Sequence, residues 1–439
     1  MSATLVNCVG ADDDLSEAEQ ELACPVPTLV TARSLAVTDP TILAKFSFNR
    51  VMTAVNTSAR GTGTPLQLYK EWMATFGQCD PALDPNAYGL VCPRTETQFG
   101  LFNPFAATGP RFVPVALMNR FDLAPTSGAD CGEYRIVYAL LDSPNDRGFI
   151  IFEGRLPNPT PADGLTGCAG VADFWAQLSN DTSVTSRATK LERFYFTGIT
   201  AEGRTFAPVV TAASYGLAVN GGAFTKGQIR TNFFADFTEW HLREFKLKKP
   251  CATASSCKLS VAHVTVKTNP ADELFRGTHA RTAAFESSFL TQIPALSRST
   301  PATIAMTTSN NHNELESSAQ GASVLFRTFT RATFRTKIQG AITNPNLTVN
   351  NILDRATTQT CGGCHQHSNG VALGNGATWP SSLGFVHVDE QRNLSPALTT
   401  SFLPRRATVL RSFLAKQCTS TATADDGMTL AGGDVDAPN

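Results

Sequence analysis

The chain of 439 residues lacks an excess of either charge: 36 Lys and Arg stand against 37 Asp and Glu, a formal −1 at pH 7. So balanced a chain makes no broad positive field, which excludes nucleic acid and anionic lipid as partners recognised through charge. No apolar run approaches the ~20 residues of a membrane helix. The longest, FVPVALM at 112–118 and GFIIF at 148–152, have the length of buried strands. There is no 20–50-residue repeat, so solenoids and propellers are set aside. Also missing is a basic n-region followed by an apolar h-region, so no complete export signal is visible.

Known catalytic fingerprints are equally scarce. GTGTPL at 61–66 and GNGATW at 374–379 open like dinucleotide loops but lack the third glycine, and neither follows a clear strand. AASYG places Ser214 in an Ala-first variant of the nucleophile elbow, too loose a match to carry a hydrolase. HNELES gathers His312, Glu314 and Glu316 in a polar stretch that reads first as a solvated loop.

What the chain does have is cysteine. Eleven are dispersed at 8, 24, 79, 92, 131, 168, 251, 257, 361, 364 and 418. Outside one CxxC none has metal-ligand spacing, and scattered cysteines of this kind fit disulfides in an oxidising compartment. Setting aside the CxxC leaves nine. Cys8, in LVNC, resembles the lipid-bearing cysteine that ends a lipoprotein signal, although Asn7 stands where a small residue is preferred. Without it eight remain, enough for four bridges, with Cys79–Cys92 and Cys251–Cys257 the easiest pairs by proximity. The expectation is an extracytoplasmic protein, in the periplasm or at the cell surface, for which Met1 is not the natural start.

The pattern along the chain is α+β. Residues 1–24 are acidic and small, a flexible leader. Residues 25–280 form one domain of unknown function. Helical stretches come first: DPTILAKFSFNRVMTAV, opened by an Asp-Pro start signal, and TPLQLYKEWMATF. Strand-like runs follow at RFVPVALMNRFDL, EYRIVYALL and RGFIIFEGRL, and return at QIRTNFFADF, WHLREFKLK and KLSVAHVTVKT after helical VADFWAQL and RATKLERFYF. Together they predict a mostly antiparallel sheet with flanking helices. Residues 281–342 are a helical and loop connection, 343–418 a small mainly α module, and 419–439 a disordered tail.

Within that module the chain reads RATTQTCGGCHQHSNG. Val349, Ile352, Leu353 and Ala356 fall at i, i+3, i+4 and i+7, so one apolar helix face runs into Cys361, Cys364 and His365. A Gly- and Asn-rich loop follows, then a closing helix with Pro404 in its first turn and Val409, Leu410, Phe413 and Leu414 as its apolar face. Two residues between the cysteines let both sulfurs reach vinyl groups on one edge of a porphyrin, and the next histidine lies beneath the iron. From this chain's own residue frequencies, about 0.004 accidental matches are expected. Two rivals have a chemical basis. Zinc would use Cys361, Cys364, His367 and His387, at a spacing matching no common finger. A redox dithiol would use CGGC, but no βαβ pattern surrounds it.

Residues 343–418 resemble a small class I c-type cytochrome domain: a helix leading into CxxCH, a haem-wrapping loop and a C-terminal helix. The resemblance implies one covalent haem c on Cys361 and Cys364, His365 as proximal iron ligand, and one-electron transfer with a redox partner protein. It covers under a fifth of the chain, and only the pentapeptide is specific. The family usually places a distal Met before the closing helix, yet no Met lies between 365 and 403, and Met428 falls in the tail. His387, in GFVHVDE, is the better distal candidate; its plain alternative is a strand histidine with a satisfied ring. Trp379 is a candidate to pack on the ring or bond a propionate, and Arg405 and Arg406 to pair with propionates. The larger domain would dock a partner or anchor the protein. Two alternatives remain: a peroxidase- or oxygenase-like haem enzyme with an open sixth position, and a non-redox surface or binding protein whose CxxC carries zinc or a disulfide.

Overall fold

Eleven strands are laid down before the motif: β1 Ala36–Val37, β2 Arg111–Arg120, β3 Asp130–Leu141, β4 Arg147–Pro157, β5 Ile199–Ala201, β6 Arg204–Phe206, β7 Ala218–Val219, β8 Gln228–Phe234, β9 Trp240–Lys249, β10 Ser260–Val264 and β11 Glu316–Ser318. In the computed structural model, which describes residues 26–89, 91–235, 239–250, 257–319 and 322–420, nine of them form one sheet ordered β1-β2-β3-β4-β8-β9-β10, with β7 and β11 also on β9. Every pairing is antiparallel except β7 with β9. β5 and β6 form a separate hairpin. The protein is α+β, as the strand and helix patterns predict. The leader, Cys8, Cys24, Cys251, Met428 and residues 421–439 lie outside the described residues.

Alternation along the strands gives the sheet two unlike faces. One face presents Tyr134, Ile136, Tyr138, Phe152 and Phe245, all fully buried. Helices Phe48–Ser58, Pro65–Ala74, Ala169–Gln177 and Val184–Phe196 pack against it. Phe48 sits edge-on to Tyr69 and Tyr138, Trp72 to Phe245, and Trp175 stacks on Tyr134. Each such aromatic contributes ~1.5–3 kcal/mol by burial, which makes this layer the stable floor of the molecule. The predicted helix DPTILAKFSFNRVMTAV is two helices, because Asp39 caps Pro40–Leu43 and Ser47 then caps a second start at Phe48.

The opposite face is partly covered by the C-terminal half. Helices Asp272–Arg276, Thr282–Leu296, Ala332–Ala341 and Val349–Thr357 close around a second core in which Phe275, Phe285, Phe289, Phe326 and Phe334 meet. The closing helix, Leu403–Ser420, belongs to the first core: Phe413 packs on Phe121 at 4.9 Å, and Leu410 and Leu414 are buried with it. Residues 343–418 therefore contribute to both cores. The cysteines reinforce this frame. Cys79–Cys92 form a disulfide, as proximity suggests; Cys131–Cys168 form another, and Cys257 and Cys418 are also disulfide-bonded. Among the described residues the free cysteines are Cys361 and Cys364. No helix among them is long and apolar enough to cross a membrane.

Candidate cofactor site

The segment before the motif is shaped by threonines. Helix Val349–Thr357 starts at a capping box between Thr348 and Asn351 and buries Val349, Ile352, Leu353 and Ala356, the face its spacing predicts. It then ends where side-chain hydroxyls take over backbone partners. Thr357 donates to the Val324 carbonyl, Thr358 to that of Arg355 and Thr360 to that of Thr357, while Thr360 accepts the Gly363 N–H. A short wide helical turn, Gly363–His367, carries the histidine.

Both residues between the cysteines must be glycine. A Cβ on Gly362 would stand 2.3 Å from the Ser318 carbonyl oxygen of β11, and one on Gly363 would stand 1.7 Å from that of Thr357. Backbone comes that close only where no side chain exists. Gly362 N–H also donates to Ser317 Oγ at 2.9 Å, so the motif rests directly on the edge of the sheet.

His365 is oriented by a backbone carbonyl: its Nδ1 lies 2.7 Å from the Phe385 oxygen. A carbonyl only accepts, so Nδ1 carries the proton and Nε2 keeps its lone pair, the arrangement by which proteins aim a histidine at a metal. Asn232 of β8 donates to the same carbonyl at 3.2 Å. Phe385 in turn stacks on Trp240, and Arg147 of β4 grips Glu390 with two bonds of 2.7 and 2.9 Å. The sheet thus fixes the loop that fixes the imidazole. Burial lowers the His365 pKa to about 4, so the ring is neutral and competent as a ligand at neutral pH.

Cys361, Cys364, His365, Trp379 and His387 all line one cavity of about 840 Å³ between the sheet and the C-terminal half. Trp379 is buried and its indole N–H donates to the Cys364 carbonyl at 3.4 Å. His387 stands beside the second cysteine: its Nε2 is 3.3 Å from Cys364 Sγ, and its Nδ1 is 2.9 Å from Ser395 Oγ. The His365 and His387 ring centres are 4.5 Å apart. Two metal–nitrogen bonds of ~2 Å plus half a ring at each end exceed that separation, so the rings as they lie do not face one another across a metal. Burial holds the His387 pKa well below its ordinary value, and His365 adds to the effect. Burial likewise pushes the Cys361 thiol up to about 11 and the Cys364 thiol up to about 12. Protonated thiols are poor attacking groups, unlike the low-pKa cysteine of a redox dithiol.

The rest of the lining divides in two. Met118, Val137, Phe149, Ile151, Leu242, Leu398, Phe402 and Phe413 make it largely apolar. Set among them are eight cationic side chains, Arg120, Arg135, Arg155, Arg230, Lys267, Arg298, Arg405 and Arg406, against the lining carboxylates Asp122, Glu133 and Glu153 and two more directly behind them, Glu244 on Arg230 and Asp130 on Arg155, a surplus of three. Strand register builds this belt: Arg120 pairs Glu133, which pairs Arg155; Arg135 pairs Glu153, which pairs Gln228; Arg230 pairs Glu244. Arg406, 9% exposed, has Asp122 as an ion-pair neighbour only at 3.8 Å. Sequence reasoning missed the belt, though EYR, EGR and QIR repeat one polar-x-Arg pattern in three strands.

Other candidates do not assemble. Ser214 is buried in a turn and exchanges a hydrogen bond with Thr211. His312 packs on Phe285, Glu314 accepts from Asn269, and Glu316 joins Arg243 and His241. His367 is not among the cavity residues, and among the described residues no group of three or more His, Cys, Asp or Glu is placed to hold a metal ion. No family model, curated protein or solved structure matches the chain.

Proposed function

We propose that the protein is an exported mono-haem c-type cytochrome that transfers single electrons. Cys361 and Cys364 would carry the two thioether bonds and His365 the iron. The bound group would supply a reversible one-electron couple. The observation that carries the reading is the aim of His365: its Nδ1 proton is committed to the Phe385 carbonyl, and both unpaired cysteines share its cavity. The residues present suit a flat amphipathic group. Apolar side chains and Trp379 would meet the macrocycle, and Arg405 and Arg406 would meet its carboxylates. The chain's own contribution is to hold the imidazole neutral, exclude water with the aromatic lining, and fix both ligand loops to the sheet.

The pairing of Cys79, Cys92, Cys131, Cys168, Cys257 and Cys418, with the two motif thiols left free, supports an extracytoplasmic setting in which those thiols have another use. A lipid on Cys8 would attach the protein to a membrane; that residue lies outside the described ones. The test is a pyridine haemochrome assay and an intact mass on protein matured in a cytochrome-c-competent host. Covalent haem is expected in the wild type and absent from Cys361→Ala/Cys364→Ala. A bare polypeptide mass in the wild type, or zinc in place of iron, rejects the reading.

A further inference from the structure

The closing helix carries one cation into the cavity that the fold itself does not use. Phe402, Arg406, Val409 and Phe413 fall at i, i+4, i+7 and i+11, and all four line the cavity, so Arg406 stands on an apolar helical stripe. Its guanidinium is buried, yet it donates a hydrogen bond to no described residue. Its ion-pair neighbour Asp122, 3.8 Å from Nε, is already taken: Arg120 donates to both oxygens of that carboxylate, at 2.9, 3.0 and 3.3 Å. Glu133 is taken by Arg135 at 2.6 Å. Arg155, the other lining cation buried to this degree, makes the contrast: it donates to the Leu123 carbonyl at 2.8 Å and to Asp130 at 3.2 Å. One carboxylate thus stands between two guanidinium groups, and Arg406 keeps its donors. Burial pushes its pKa well below the ordinary value and Arg120 adds to this, more than Asp122 restores. A buried charge in this condition calls for a partner that the chain does not supply.

The wall around it describes the rest of that partner. Met118, Val137, Ile151, Leu242 and Leu398 are aliphatic, and a space of about 840 Å³ lies within the ~300–1,000 Å³ of small-molecule sites. We propose that the cavity, before any haem is attached, takes a long-chain monocarboxylic acid, with its carboxylate on the Arg406 guanidinium and its chain along the aliphatic wall. A single carboxylate matches the single buried cation left without a hydrogen bond, and the guanidinium fork suits its two oxygens. The proposal goes beyond the haem reading and does not depend on it; a haem carboxylate would use the same guanidinium, so haem and free acid exclude one another.

The experiment uses the full chain exported by a host without cytochrome c maturation, with cis-parinaric acid, a fluorescent long-chain acid, as the probe. A saturable rise in its emission is expected, reversed by oleic acid. The methyl ester of the probe, similar in shape and uncharged, should bind about tenfold more weakly. This arm needs the wild type alone, so it decides even where a variant fails to fold. In Arg406→Gln the preference for acid over ester should vanish while ester binding persists, and Arg406→Lys should restore part of it. A wild-type chain that binds neither molecule, or binds both alike, overturns the proposal. So does a preference for the acid that survives intact in Arg406→Gln.

Discussion

Replacing Arg355 by methionine removes a guanidinium but keeps an unbranched apolar stem. Arg355 is fully buried in the helix that leads to the motif, and its partners are backbone carbonyls alone: Leu296 and Arg298 at 2.8 and 2.7 Å, Leu373 at 2.7 Å and Gly374 at 3.3 Å. Hydrogen bonds from a charged donor contribute ~1.5–3 kcal/mol each. Against this stands a desolvation cost of several kcal/mol for an ion with no carboxylate beside it. Methionine recovers that cost but strands the carbonyls, and an unmet buried carbonyl costs ~1–3 kcal/mol. The balance is a net loss of about 3–5 kcal/mol. The same bonds tie the turn after helix Thr282–Leu296 to the motif helix, and Arg298–Met306 lines the cavity. Haem content should therefore fall with stability. Urea denaturation of wild type and Arg355→Met, with the Soret band scored per polypeptide, measures both. A loss below ~1 kcal/mol would refute the reasoning, since it would mean that the carbonyls find water once the guanidinium is gone.

Further outcomes follow from the same geometry. Gly363→Ala should cost more than ~3 kcal/mol or abolish cofactor loading, because its methyl would meet the Thr357 carbonyl; a wild-type melting temperature and haem ratio would contradict this. His387→Ala should leave the ferric ligand-field bands in place, whereas a low-spin to high-spin change would show that His387 ligates the iron. Glu316 is held at about 2: burial pushes its pKa up, but the His241 ring 3.6 Å away and the Arg243 guanidinium, which donates to it at 3.0 Å, outweigh it. A depressed carboxylate stabilises fully above its unfolded value and loses that contribution as pH falls toward 2, so about 3 kcal/mol should disappear between pH 5 and 2. Urea melts of Glu316→Gln should show a flatter acid limb; an identical limb would show that the group is not the source.

The sequence was legible where signals are local. Alternation in EYRIVYALL and RGFIIFEGRL marks β3 and β4, and the i, i+3, i+4, i+7 set from Val349 marks the motif helix and its buried face. Distance in sequence hides the rest. Whether Glu153 lies beside Arg135 or one residue off depends on register, which is set by the whole sheet. The carbonyl that orients His365 belongs to Phe385, and no side-chain pattern announces a backbone acceptor. Cys131 and Cys168 pair across 37 residues, beyond what spacing can decide. The break after Leu43 escaped because one Asp-Pro signal masked a second start at Ser47.

The position of the two free thiols imposes a sequence of events in time. They are enclosed by strands formed early in the chain on one side and by Leu403–Ser420, the last helix described, on the other. That helix carries the disulfide-bonded Cys418 in its last turn. A bulky group, were one joined to Cys361 and Cys364, would have to enter before that helix packs over the cavity. On the haem reading, loading would therefore have to precede the packing of the last helix.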